Sequence, residues 1–199
     1  MYNPYDFYFK KAKTQGFKAR SVFKLEEIQN KFKIFGKDTN SILDIGCFPG
    51  SWLQYAYSQM QKFEKTKYQI IGMDIKDVKI SLPGVKTFNQ DITDQESVKK
   101  ILEENGMKKI DLIISDMAPN TIGFKNIDAI RSFALIEKTI WIYKQLLKPD
   151  GKFVVKVFMG PGFEEYVKDM RNFFGAKNIK IYKPSSSRTE SKETYVIKI

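Results

Sequence analysis

Short apolar runs and stripes of 3.6-residue period alternate along this chain. Ile42–Ile45, Tyr68–Met73, Val85–Asn89, Ile110–Ser115 and Lys152–Phe158 have the length and β-branched content of buried strands. Between them the pattern turns helical. In Lys18–Phe32 the residues Val22, Phe23, Leu25, Ile28 and Phe32 form one stripe, with Lys24 polar beside it. A helix from Ser51 to Gln61 packs Trp52, Leu53, Ala56 and Tyr57. Thr93 and Glu96 have the spacing of a capping box and open a helix to Glu104. A long stripe covers Ile127–Leu147 and stops before Pro149, and Phe163–Phe174 follows the break Gly160-Pro161-Gly162. Tyr5–Gln15 forms a short helix stopped by Gly16. Asn178–Tyr182 and Thr194–Ile199 have no helix between them, only the polar loop Lys183–Lys192, which predicts an antiparallel pair at a sheet edge.

Strands alternating with helices predict an α/β fold. The expectation is a Rossmann-like, mostly parallel seven-stranded sheet with an antiparallel edge hairpin and helices on both faces. Residues 1–199 read as a single domain, and no run is apolar enough to span a bilayer.

The loop after the first strand, Asp44-Ile-Gly-Cys-Phe-Pro-Gly50, carries Gly46, Pro49 and Gly50 at a strand-to-helix turn, where backbone can approach a ligand. Several strands end in a carboxylate: Asp44, Asp74, Asp91 and Asp116. Aspartate is common after strands for turn and capping reasons alone. As a set beside a glycine loop, these four point to a ligand crevice, with Asp74 placed to hold ribose hydroxyls. Asp44 stands where a pyrophosphate loop needs a small neutral residue. A carboxylate there repels phosphate and suits a cation. The crevice therefore favours S-adenosylmethionine, with its sulfonium and ammonium, over a dinucleotide. Trp52 by itself reads as a core residue at a helix start.

The net charge of +11 points to a polyanionic partner, although a lysine-rich composition also produces it. Lys10, Lys11, Lys13, Lys18 and Arg20 cluster near the N-terminus, and Arg188 lies in the polar loop. With one cysteine, Cys47, and no histidine, no disulfide or cysteine-cluster metal site is expected, and acid–base chemistry falls to Asp, Glu, Lys or Tyr. The first twenty residues resemble neither a signal peptide nor a clear transit peptide. The expected location is intracellular: nucleolus, cytoplasm or an organelle such as the mitochondrion.

Lys156 lies within the apolar strand Phe153-Val-Val-Lys-Val-Phe158, where lysine is rare without a partner or a function. Here a resemblance becomes specific. Ser21-Val-Phe-Lys-Leu-Glu-Glu-Ile28, Asp44–Trp52, Ser115-Asp-Met-Ala-Pro-Asn120, Phe153–Phe158 and Pro184–Tyr195 resemble, in order, the FtsJ/RrmJ family of RNA ribose 2′-O-methyltransferases. The resemblance implies a Lys-Asp-Lys-Glu tetrad at Lys24, Asp116, Lys156 and Glu193, with Lys156 as general base. It implies S-adenosylmethionine binding, yielding S-adenosylhomocysteine, at Gly50, Trp52, Asp74, Asp91 and Asp116. It requires no metal. Residues 1–36 would then wall the active site and help bind RNA. Asp116-Met-Ala-Pro-Asn120 and Val155–Phe158 are more similar to the branch acting on large-subunit ribosomal RNA, and a tRNA anticodon-loop enzyme is the alternative. A silent RNA-binding assembly factor is the reading from outside enzymes, and the complete tetrad argues against it. A monomer acting on ribosomal RNA or the ribosomal subunit is expected.

Overall fold

The computed structural model describes residues 7–119 and 124–199, with the side chains of Lys125 and Asn126 outside that description. Tyr5 and Asn120, both named above, lie outside it too. The elements follow in the order α1 (Phe7–Thr14), α2 (Val22–Phe32), β1 (Ser41–Ile45), α3 (Ser51–Lys62), β2 (Gln69–Asp74), β3 (Val85–Asn89), α4 (Gln95–Glu104) and β4 (Ile110–Ser115). After these come α5 (Lys125–Glu137), α6 (Ile140–Gln145), β5 (Leu147–Phe158), α7 (Phe163–Phe174), β6 (Ile179–Tyr182) and β7 (Glu193–Lys198).

The seven strands form one sheet in the order β3-β2-β1-β4-β5-β7-β6. The pairs β1–β2, β1–β4, β2–β3 and β4–β5 are parallel, and β7 runs antiparallel to both β5 and β6. This is the expected edge hairpin, with its second strand inserted next to β5. Strand order reverses between β1 and β4, so their carboxyl ends diverge into a crevice.

Side chains alternate between the two faces. Leu43, Ile71, Ile113, Phe153, Val155 and Val196 pack with residues of α4, α6 and α7, while Ile42, Ile70, Leu112, Ile114, Val154 and Tyr195 pack with α1, α2 and α3. The same alternation sends Asp44, Lys156 and Glu193 towards α1–α3. Gly72 is required on that face. A Cβ there would stand 2.8 Å from Cys47 Sγ and 2.9 Å from Leu53 Cδ1, closer than side chains pack.

Several element boundaries differ from the sequence expectation. Residues 18–21 are not helical. Lys24 N–H donates to the Ser21 carbonyl at 3.1 Å and Phe23 N–H to Arg20 at 3.2 Å, so a tight 3₁₀-type turn leads into α2. The stripe Ile127–Leu147 is two helices. Thr139 is fully buried, and both its N–H and its hydroxyl donate to the Ile136 carbonyl at 2.8 Å, which ends α5 and restarts the chain as α6. The cap of α4 is Asp94, whose carboxylate accepts from Ser97 N–H at 3.2 Å, and not Thr93. Thr93 is engaged by Asp91 instead. Strand β5 begins at Leu147 because Leu147 pairs with Ile110, and the register shifts between Ile110 and Leu112. The carbonyls of Pro149 and Gly151 there accept from Lys198 Nζ, the first at 3.0 Å.

Candidate active site

A cavity of about 390 Å³ opens at the carboxyl ends of β1, β2 and β4. Gly46, Asp74, Asp91 and Asp116 all line it. Asp74 organises its wall. One carboxylate oxygen accepts from Phe48 N–H at 2.9 Å and the other from Lys76 N–H at 2.8 Å, so the loop after β1 is tied to the end of β2. Each oxygen retains a further lone pair. Asp91 Oδ1 accepts from the Thr93 N–H and hydroxyl, both at 2.8 Å, in a turn that presents the carboxylate at the surface. Gly46 has φ 71°, and a Cβ on it would meet Met117 Cβ at 2.7 Å, so the loops after β1 and β4 touch at this glycine.

Asp44, Pro49, Gly50 and Trp52 do not line this cavity. Gly50 precedes α3 at φ 109°, a backbone region that glycine enters freely. Trp52 Nε1 donates to the Ser21 carbonyl at 2.9 Å, and its ring lies 6.0 Å from that of Tyr195, so it ties α3 to the turn before α2. Asp44 is 1% exposed, and its Oδ2 is buried with no hydrogen-bond partner among the described residues. Burial, then the negative charges of Asp116 and Asp74, hold its pKa well above the usual carboxylate range. An acid whose folded pKa is raised contributes fully below its unfolded value near 4 and costs stability as pH rises toward the folded pKa. Asp44→Asn is therefore expected to stabilise the cofactor-free protein at pH 7–8 but not near pH 4. The gain should grow by at most about 1.4 kcal/mol per pH unit, the slope for one proton. Urea unfolding across that range measures it, and a difference independent of pH would refute the account.

Beside the cavity, α2, the carboxyl end of β4, β5 and β7 bring the tetrad together. Lys156 Nζ, on β5, lies 3.1 Å from Asp116 Oδ1 and also donates to the Asp116 backbone carbonyl. Lys24 Nζ, on α2, lies 2.8 Å from Glu193 Oε1, on β7. Antiparallel pairing sets Lys156 opposite Tyr195 and Phe158 opposite Glu193. Burial raises the Asp116 pKa, but the charges of Lys156 and Lys24 and the Tyr195 hydroxyl outweigh it and leave it below the usual range. Tyr195 donates to Asp116 Oδ1 at 2.7 Å, and burial followed by the Asp116 and Glu193 charges holds its own pKa well up, so it remains a donor. The sequence reading did not single out Tyr195. Its signal was strand alternation: two residues beyond Glu193, it shares that residue's face.

The basic candidates divide. Arg20 and Arg188 line a second cavity, of about 430 Å³, together with Lys24 and Glu193. Lys10, Lys11, Lys13 and Lys18 do not line it. Lys10 and Lys13 are exposed on α1. Lys11 sits 4.3 Å over the Phe23 ring and 3.9 Å from Glu26. Lys18 is exposed, with its N–H donating to Gln54 Oε1 at 2.8 Å.

Comparison with known proteins identifies relatives over nearly the whole chain. A curated protein named ribosomal RNA large subunit methyltransferase E, from Desulfatibacillum aliphaticivorans, is 42% identical over 193 residues, covering 96% of this chain and 88% of that protein. Its namesake from Desulfosudis oleivorans is 40% identical over 192 residues, with the same coverage. A crystal structure from Plasmodium falciparum, of a protein named as a ribosomal RNA methyltransferase, superposes with a TM-score of 0.75 at 29% identity, covering 92% of this chain and 97% of that one. The model of one family, FtsJ-like methyltransferase, matches residues 17–199. Sheet order, crevice and sequence agree, and the chain belongs to the FtsJ-like methyltransferase family.

Proposed function

We propose that the protein methylates a ribose 2′-hydroxyl in large-subunit ribosomal RNA, using S-adenosylmethionine. The observation that carries this reading is Lys156 held by Asp116, the one tetrad residue that also lines the acidic cavity.

The residues of that cavity suit the cofactor. Three carboxylates line it against two lysines, Lys76 and Lys138, a net negative wall that favours a cation, and the Asp44 oxygen that lacks a hydrogen-bond partner among the described residues lies buried near it. Asp74 would hold ribose hydroxyls, and Asp91 the far end. When bound, the cofactor supplies an electrophilic methyl on a good leaving group. The protein must then align the ribose oxygen and remove its proton. In its neutral form the Lys156 amine has two hydrogens and one lone pair. Asp116 Oδ1 and the Asp116 carbonyl can take both hydrogens, which leaves the lone pair for the 2′-proton. Tyr195 steadies Asp116, and Glu193 steadies Lys24 beside it. Ribosomal RNA is favoured as substrate by the names of the two curated relatives and by Asp116-Met-Ala-Pro, which is more similar to the ribosomal branch.

The test offers purified protein the labelled methyl donor with assembled large subunits, naked large-subunit RNA and tRNA. Label is expected in ribosomal RNA, in a dinucleotide resistant to alkaline hydrolysis. Label on a base, or on tRNA alone, would overturn the reading.

A further inference from the structure

The loop 183–192 between β6 and β7 carries Arg188 and leads into Glu193, yet it contains no helix or strand. What fixes it is α2. Glu27 Oε2 accepts from Ser185 N–H at 2.7 Å and from the Ser185 hydroxyl at 2.9 Å, while Oε1 accepts from Ser186 N–H at 2.8 Å. Ser187 N–H closes the turn onto the Pro184 carbonyl at 3.1 Å. Successive N–H groups aimed at one point form an anion-binding concavity, and here the anion comes from the protein itself. Burial raises the Glu27 pKa, but these bonds outweigh it and leave it lowered, so the carboxylate is charged at neutral pH. Arg20 grips the same turn from its carbonyl side, donating from Nη2 to Ser186 O at 2.6 Å.

Beyond the turn, Arg20 and Arg188 line the cavity that also holds the Lys24–Glu193 pair. Two of the four arginines meet here, in a chain whose other basic residues are all lysine. Burial lowers the Arg20 pKa, and the Arg188 charge lowers it further, against the opposing pull of Glu193. Both guanidinium groups line this one cavity, where with Lys24 they make three cationic side chains against the carboxylates of Glu190 and Glu193, a net positive wall that suits an anion. Guanidinium forks also match phosphate geometry better than ammonium groups do.

We propose that Glu27 is a positioning residue: its carboxylate docks loop 183–192 on α2 and so presets Arg20 and Arg188 to hold one backbone phosphate of the RNA strand beside the ribose facing Lys156. This rests on the RNA 2′-O-methylation reading above.

The test is equilibrium binding of a fluorescein-labelled single-stranded RNA oligonucleotide over a range of salt, with methylation of the substrate RNA in parallel. Arg188→Ala should weaken binding about tenfold and reduce the salt slope by about 0.7, the value for one phosphate of a single strand. Glu27→Gln should give the same two changes, and the double variant should bind no more weakly than Arg188→Ala alone. The affinity for S-adenosylmethionine should be unchanged in each. Ser185→Ala removes one of the three bonds at an exposed residue and should give a smaller loss of the same kind, which keeps the test decisive if Glu27→Gln fails to fold. Additive losses in the double variant would overturn the proposal, and so would Glu27→Gln and Ser185→Ala behaving as wild type. Wild-type protein that neither binds RNA in a salt-dependent way nor methylates it would overturn the functional reading as well.

Discussion

Lys156→Ala is expected to slow methyl transfer by about 10³-fold, within the range for loss of a positioned general base. The affinity for S-adenosylmethionine should stay within about twofold of wild type, because Lys156 does not line the 390 Å³ cavity. Lys156 is 7% exposed and its Nζ is held by Oδ1 and the backbone carbonyl of Asp116, so removing it strips the site of its best-positioned proton acceptor. Lys156→Arg separates a base from a simple cation. A guanidinium keeps the charge near Asp116 but cannot accept a proton at any usable pH. It should be about as inactive as the alanine variant. Substantial turnover by either would end the assignment of Lys156 as the base, and single-turnover rates at saturating cofactor make the comparison.

Asp116→Ala is expected to cost both activity and stability. Asp116 is shared by Lys156, by the Tyr195 hydroxyl and by the cavity wall, and the Lys24 charge also acts on it. Removing it leaves the Lys156 ammonium without its carboxylate in a mostly buried site. Breaking such a pair from one side costs about 3 kcal/mol. The folded pKa is lowered, so this stabilisation is fully present above the unfolded value near 4 and is lost as pH falls through the folded pKa. The gap in unfolding free energy between wild type and Asp116→Ala should therefore be full at pH 7 and narrow steadily below about pH 4. A gap that widens on acidification would contradict the assignment. Asp116→Asn, which keeps an acceptor for Tyr195, should be the milder variant in stability and still poor in turnover.

Asp44 and Asp116 show why a count of strand-end aspartates is not yet a site. Both face the α1–α3 side of the sheet. Asp116 has cationic partners and a lowered pKa, whereas Asp44 has none at Oδ2 and a raised one. The same residue type near the ends of two neighbouring strands is thus tuned in opposite directions by what packs around it.

The sequence by itself determined the strands, the stripes and the order of alternation, because a period of two or 3.6 residues is written locally. It determined the α/β class and the edge hairpin, and it marked Lys156 as a charge out of place in an apolar strand. Resemblance added Lys24 and Glu193 and joined Asp116, already marked as a strand-end carboxylate, to Lys156 in one tetrad, though these residues lie far apart in the chain. Local pattern failed where a distant group decides the outcome. The break at Thr139 depends on a threonine that the fold buries completely. The early start of β5 depends on Ile110 and on Lys198 from the last strand. Only the tertiary structure could set Tyr195 on Asp116, dock the Ser185–Ser186 turn on Glu27 and draw Arg20 beside Arg188, since each joins groups more than seventy residues apart. Spacing along the chain carries no information about such contacts until the sheet order and its register are fixed.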